Sequence, residues 1–328
     1  MSGKDPFKPF PLFLGKHMQT IGAIIFSFYR DPDSQRRFVY LSDGEKISLE
    51  VTTPPGWEDH QTTVVMIHGL CGSHQSHYLV RMASKLYRRK IRSIRVNLKG
   101  CGSGRGYAKK IYHPDCSHDL WAALQEIHRE APRSPIIVLG FSFGGNVALK
   151  MAGEREEEAE QLIEKVIAVN PPVDLCASAC LLSQNKLYER YFMRYFRSEV
   201  DFLQRHFNLE PIDIPRQMGI LGFDELYLAP HSGYQSAKEY YYAMSSGRLL
   251  PAIKVPCRIL LSRDDPIVDS TVFDAVFVPD HIKILITQKG GHLGFLGRPG
   301  RKRAFYWMDS VILNWIFEQA DGEKRAAG

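Results

Sequence analysis

The chain has no apolar run long enough to cross a membrane. Its longest apolar stretch near the start, Ile21 to Phe28, falls far short of the ~20 residues a spanning helix needs. That stretch is expected to pack against the domain, with peripheral membrane contact as the alternative. The first residues show no cleavable signal-peptide pattern, and the six cysteines (Cys71, Cys101, Cys116, Cys176, Cys180, Cys257) contain no Cys-x-x-Cys pair. Reduced thiols in a cytoplasmic protein follow as the expectation. His113, Asp115 and His118 lie close in sequence but match no zinc spacing, so no metal is expected. The glycine-rich loop from Gly100 to Gly106 lacks the Gly-Lys-Ser/Thr of a P-loop and the spacing of a dinucleotide fingerprint, and no cofactor is expected either. Internal repeats and low-complexity segments are absent. Net charge is +6, with basic clusters at Arg88-Arg89-Lys90 and from Arg298 to Arg303, but no nucleic-acid-binding motif accompanies them. They read as solvated surface with a weak attraction to anionic membranes, and no nucleic-acid partner is expected.

What is present is an ordinary soluble composition, 44% hydrophobic and 24% charged, over 328 residues. That length suits one large α/β domain with an insertion, or two domains. Phe38 to Leu41 and Ile47 to Thr52 read as an opening hairpin around Asp43-Gly44. Further strands are predicted at Val64–Ile67, Ile91–Val96, Ile136–Leu139, Val166–Val169, Arg258–Leu261 and Ile282–Ile286. Helices are predicted between them, near 76–87 and 117–129, and a last one near 303–317. This alternation implies a mostly parallel sheet with helices on both faces. It breaks between Pro171 and about Pro256, where Tyr188, Tyr191, Phe192, Tyr195 and Phe196 repeat with helical spacing. That face is expected to pack onto the body; its functional form is a lid lining an acyl-binding pocket. The acidic run Glu154 to Glu160 reads as a solvated helix face or loop.

One pentapeptide carries chemistry: Gly140-Phe141-Ser142-Phe143-Gly144, directly after the apolar run Ile136 to Leu139. Glycines two residues either side of a serine suit a sharp strand-to-helix turn, where flanking side chains would collide with neighbouring elements. A serine hydroxyl is a weak nucleophile and needs a base, an orienting carboxylate and an oxyanion site. Each has a candidate at the end of a predicted strand. Ser262-Arg263-Asp264-Asp265-Pro266 supplies an acid, and Gly290-Gly291-His292 supplies a base. Ser, Asp, His is the order expected of a hydrolytic triad on this turn. Ser142 is assigned as nucleophile, His292 as general base and Asp265 as the orienting acid, with Asp264 as the fallback. Asp265 is preferred because it forms the Asp-Pro pair. The oxyanion donors are assigned to the backbone N–H groups of Phe143 and Leu70, the latter in the loop His68-Gly69-Leu70-Cys71-Gly72. Cys71 reads as a small wall residue of that loop and not as a second nucleophile.

Together these segments resemble the α/β-hydrolase superfamily, and within it the YheT-like branch. The likeness rests on Lys16-His17-Met18-Gln19-Thr20, on Asn97-Leu98-Lys99-Gly100-Cys101-Gly102, on Phe223-Asp224-Glu225 with Ser232-Gly233-Tyr234 and Glu239-Tyr240-Tyr241, and on Gly290 to Phe295. The resemblance implies an α/β-hydrolase fold with a helical cap insertion. It also implies serine-dependent hydrolysis of carboxylic esters, with a small-molecule or lipid ester as substrate. Ser142, Asp265 and His292 stand at the matching triad positions. The organisation expected is an N-terminal arm over 1–36, the hydrolase domain over 37–320 with the cap over about 171–256, and a disordered tail over 321–328. Acyl transfer to an alcohol by the same triad is one alternative. A catalytically idle fold acting as a binding or membrane-peripheral protein is another.

Overall fold

The computed structural model describes residues 6–110, 116–300 and 304–318. The tail at 321–328, His113, Asp115 and the basic residues 301–303 lie outside the described residues. Eight strands form one sheet: β1 (Gln35–Tyr40), β2 (Lys46–Thr52), β3 (Thr63–Ile67), β4 (Arg92–Asn97), β5 (Ile136–Phe141), β6 (Lys165–Val169), β7 (Cys257–Ser262) and β8 (Ile282–Thr287). Their spatial order is β1-β2-β4-β3-β5-β6-β7-β8. β1 and β2 run antiparallel to their neighbours, and β4 through β8 pair in parallel. β5 sits mid-sheet between β3 and β6, so its carboxyl end opens where the strand order doubles back, the usual ligand crevice of such sheets.

The central strands are buried on both faces, which is why they are written as unbroken apolar runs. Alternate residues go to opposite sides: Ile136 and Val138 join one core, Ile137, Leu139 and Phe141 the other. The first core is completed by α3 (Cys116–Glu130) and α4 (Phe143–Leu162), the second by α2 (His77–Tyr87) and α10 (Trp307–Phe317). The last helix thus starts at Trp307, later than its apolar pattern suggests. α2 and α10 are tied by a fully buried ion pair. Arg81 donates to Asp309 through Nε (2.6 Å) and Nη2 (3.0 Å), and Lys85 adds a third bond at 2.6 Å.

Between β6 and β7 the chain leaves the sheet and builds a helical cap. It consists of α5 (Leu175–Gln184), α6 (Lys186–Phe207), two short turns α7 (Ile220–Phe223) and α8 (Ala229–His231) joined by a π-turn, and α9 (Ala237–Met244). Tyr188, Phe192 and Phe196 of α6 are buried, whereas Tyr191 is 64% exposed.

Before β1 the chain forms α1 (Lys16–Ile25), which docks on the body through one face only. α1 buries Gln19, Thr20, Gly22 and Ala23, and leaves Ile24 and Ile25 58% and 59% exposed. The reason is the partner it docks on, the loop from Gly290 to Leu296, whose backbone lies too close to α1 for large side chains. Gln19 donates through Nε2 to the Phe13 and Leu296 carbonyls (2.6 and 3.1 Å), and accepts the Leu296 N–H at 2.6 Å. Polar and small residues serve that contact, so the aliphatic ones face outward.

Candidate active site

Ser142 stands on the turn between β5 and α4 with φ 52° and ψ −123°, a strained conformation for a residue with a side chain. Close packing enforces it. A Cβ on Gly140 would lie 2.5 Å from the Gly145 Cα, and one on Gly144 2.5 Å from the His68 carbonyl oxygen. Both flanking glycines are therefore required by space. The Ser142 N–H donates to the Val169 carbonyl at 2.8 Å, which fixes the turn to β6. Its side chain makes no hydrogen bond to a described residue, so the hydroxyl is held only by the backbone beneath it.

The loop after β3 lies directly against this serine: a Cβ on Gly69 would come within 3.0 Å of the Ser142 Cβ. His68 shapes the loop from below. Its Nε2 accepts the Leu98 N–H (3.2 Å), so Nδ1 carries the proton and donates it to the Gly69 carbonyl (2.7 Å). Burial pushes the His68 pKa down to about 4, which keeps the ring neutral in this role. The Gly69 N–H is taken by the Tyr78 hydroxyl at 2.9 Å. The next one, on Leu70, has no partner among the described residues. Phe143 follows Ser142 as the first residue of α4.

His292 and the two aspartates meet at the ends of β7 and β8. His292 Nδ1 lies 2.8 Å from Asp265 Oδ2. A carboxylate can only accept, so Nδ1 carries a proton, and in the neutral ring Nε2 keeps the lone pair. Asp265 is held on all sides: Oδ1 accepts the N–H groups of Ile267 (2.8 Å) and Val268 (3.0 Å), and Oδ2 also accepts a short bond from Asn170 Nδ2. Asp264 does not reach the imidazole. Its Oδ1 accepts the Gly291 N–H at 2.9 Å, and burial raises its pKa above the usual carboxylate value.

Two supports were not assigned to the site from sequence: Asn170, and Thr20, whose motif entered only as a family likeness. Asn170, at the end of β6 with φ 45°, ties Asp265 to the Gly291 carbonyl (3.2 Å). Its only signal is a polar residue ending an apolar strand. Thr20 of α1 accepts the His292 backbone N–H at 2.9 Å and donates its own hydroxyl to the Lys16 carbonyl (2.8 Å). Gly291 permits that approach: its φ is 57°, and a Cβ there would lie 2.8 Å from Thr20 Oγ1.

Ser142 and His292 open into one cavity of 460 Å³ beneath the cap. Its walls are largely apolar, with Leu182, Phe192, Phe196 and Ile220 contributed by the cap. The aromatic face of α6 therefore both packs on the body and lines this cavity. One buried acid interrupts the apolar wall. Asp224 accepts the Tyr241 hydroxyl at 2.5 Å, and burial pushes its pKa up from 3.8 to about 7. The folded state thus holds this proton between those values while the unfolded chain releases it. Stability contributed by the neutral acid is complete below about pH 4, falls as pH rises and is gone above about pH 7. The stability of Asp224→Asn relative to wild type is expected to rise by roughly 4 kcal/mol across that window. Urea unfolding at pH 4, 5.5 and 7.5 measures it, and a pH-independent difference would contradict it.

The Alpha/beta hydrolase family model matches residues 64–303. The chain is 24% identical over 322 residues to the candidate esterase YheT of Escherichia coli (strain K12), covering 96% of this chain and 94% of YheT. It is 24% identical over 283 residues to the monoacylglycerol lipase of Saccharomyces cerevisiae, covering 82% of this chain and 61% of the lipase. The crystal structure of an esterase from Exiguobacterium antarcticum superposes with a TM-score of 0.54 at 17% identity, over 86% of this chain and 99% of the esterase.

Proposed function

This chain belongs to the alpha/beta hydrolase family, and from that premise we propose that it is a serine hydrolase cleaving carboxylic esters through an acyl-enzyme. The observation that carries this reading is the convergence of Ser142 and His292 on one apolar cavity, with Asp265 hydrogen-bonded behind the histidine. Relatives named as esterase and monoacylglycerol lipase support the ester as the bond that is cut.

In the first half-reaction His292 Nε2 takes the Ser142 proton while Oγ bonds to the ester carbonyl carbon. The resulting oxyanion is held by the N–H groups of Leu70 and Phe143, and Asp265 stabilises the imidazolium. The intermediate collapses with loss of the alkoxide, which leaves as an alcohol carrying the His292 proton. Water then adds to the acyl-enzyme, giving its proton to His292 and returning Ser142 with release of the acid. An alcohol in place of that water would make a new ester, and product analysis with ethanol present distinguishes the two outcomes.

The cavity favours an apolar acyl group. Each methylene buried in the transition state is worth ~0.8 kcal/mol, so kcat/KM for p-nitrophenyl esters is expected to climb roughly three- to fourfold per carbon from acetate until the cavity is full. A flat or falling series from acetate would oppose the reading. Among the described helices none is long and apolar enough to cross a membrane. The six cysteines form no disulfide among the described residues, in keeping with a reducing compartment such as the cytoplasm.

A further inference from the structure

We propose that the outer face of α1, together with the adjoining face of α6, docks this protein on an anionic lipid surface with the cavity mouth against it. α1 is amphipathic in the wrong sense for a helix of an isolated soluble domain. Its polar and small residues are inside, while Met18, Ile21 and Ile25, at i, i+3 and i+7, form an outward stripe. Met18 and Ile25 are 52% and 59% exposed. Apolar side chains gathered in water on one helix mark a contact surface.

The location of the stripe selects its partner. Ile21 and Ile24 of α1, and Leu187 and Tyr191 of α6, line the cavity and are also exposed to solvent. The apolar surface therefore runs without a break from outside the protein into the chamber that holds Ser142. A lipid surface presented there delivers an apolar chain directly to the mouth. Charge points the same way. Lys16 opens α1, and Arg190 and Arg194 share the exposed side of α6 with Leu187 and Tyr191. These three cations form no ion pair among the described residues. α1 has no acid, Glu189 and Glu199 of α6 are buried, and the exposed Asp201 lies about two turns beyond Arg194. Unpaired cations beside an apolar mouth match anionic headgroups over acyl chains. A second copy of the same cationic face would be repelled.

This inference goes beyond the ester chemistry, and its test reads binding apart from turnover. The full-length protein is floated with phosphatidylcholine vesicles, with and without phosphatidylglycerol, and hydrolysis of a dissolved short-chain p-nitrophenyl ester is assayed separately. Binding is expected to the anionic vesicles and to weaken as salt is raised. Met18→Asp/Ile25→Asp should lower the bound fraction at least tenfold, and Arg190→Glu/Arg194→Glu should abolish the preference for phosphatidylglycerol. Met18→Asp/Ile25→Asp should hydrolyse the dissolved ester at the wild-type rate. Wild-type protein that floats with neither vesicle, or a double variant that floats equally well, would overturn the proposal. So would light scattering showing a dimer that the double variant splits, since a second copy would then cover the face. Activity lost while vesicle binding persists would count against the hydrolase reading alone.

Discussion

Ser142→Ala is expected to lower kcat/KM for ester hydrolysis by a factor on the order of 10⁴ to 10⁶ while leaving stability unchanged. The two halves of that expectation have separate causes. The hydroxyl is the atom that bonds to the acyl carbon, and the residues around it act as a unit that has nothing to activate once it is gone. Structurally the hydroxyl holds nothing. It makes no hydrogen bond to a described residue, and the turn is fixed by the Ser142 backbone and by the glycines at 140 and 144. Covalent labelling by a fluorophosphonate should vanish in the same variant. Two companion variants test the acid. Asp265→Asn loses the carboxylate that holds His292 Nδ1–H and should cost about 10³- to 10⁴-fold. Asp264→Asn alters a carboxylate that bonds the Gly291 and Gly290 backbone and not the imidazole, and should cost less than about tenfold. Retained hydrolysis and labelling in Ser142→Ala would refute the nucleophile; equal losses at the two aspartates would refute the division between them.

Asp309→Asn is expected to destabilise the fold by roughly 3–5 kcal/mol, a large share of a typical domain's stability. Arg81 and Asp309 are both fully excluded from solvent, and Asp309 compensates Arg81 and Lys85 at once. Removing the acid leaves a guanidinium buried without its counter-charge. Burial opposes ionisation of Asp309, but Arg81 and Lys85 outweigh it and hold its pKa below the usual carboxylate value. The stability it contributes is therefore present at neutral pH, and is lost only as pH falls from the unfolded value of about 3.9 through the lower folded one. Guanidinium unfolding at pH 7 measures the cost. Arg81→Met/Asp309→Leu provides the internal control, since replacing both partners removes the orphaned charge and should cost less than Asp309→Asn. A single-variant loss under about 1 kcal/mol would show that the pair does little to hold α2 to α10.

Much of the fold is legible in the sequence because its central strands are buried on both sides. Ile136 to Leu139 and Val166 to Val169 have no polar alternation to obscure them, and helical patterns fall between them. The pentapeptide around Ser142 is legible for a steric reason: the first turn of α4 lies so close to β5 and to the end of β3 that no side chain fits at Gly140 or Gly144. The face of α1 is not legible in this way. Apolar periodicity shows that a helix has two sides, but not which side is inside. That choice was made by the loop carrying His292, which accepts only Gln19, Thr20, Gly22 and Ala23 against it.

By itself the sequence determined the strand order along the chain, the turn bearing Ser142, and the succession of serine, acid and histidine. Those are local matters of apolar runs, glycine placement and position after a strand. Only the tertiary structure decided that Asp265 meets the imidazole while Asp264 braces the Gly291 backbone. It alone joined Asn170 and Thr20 to the same assembly. It also opened the cavity under the cap and turned the isoleucines of α1 outward beside its mouth. These outcomes depend on which backbone approaches which side chain across 27 to 272 positions of sequence, a distance over which spacing carries no signal.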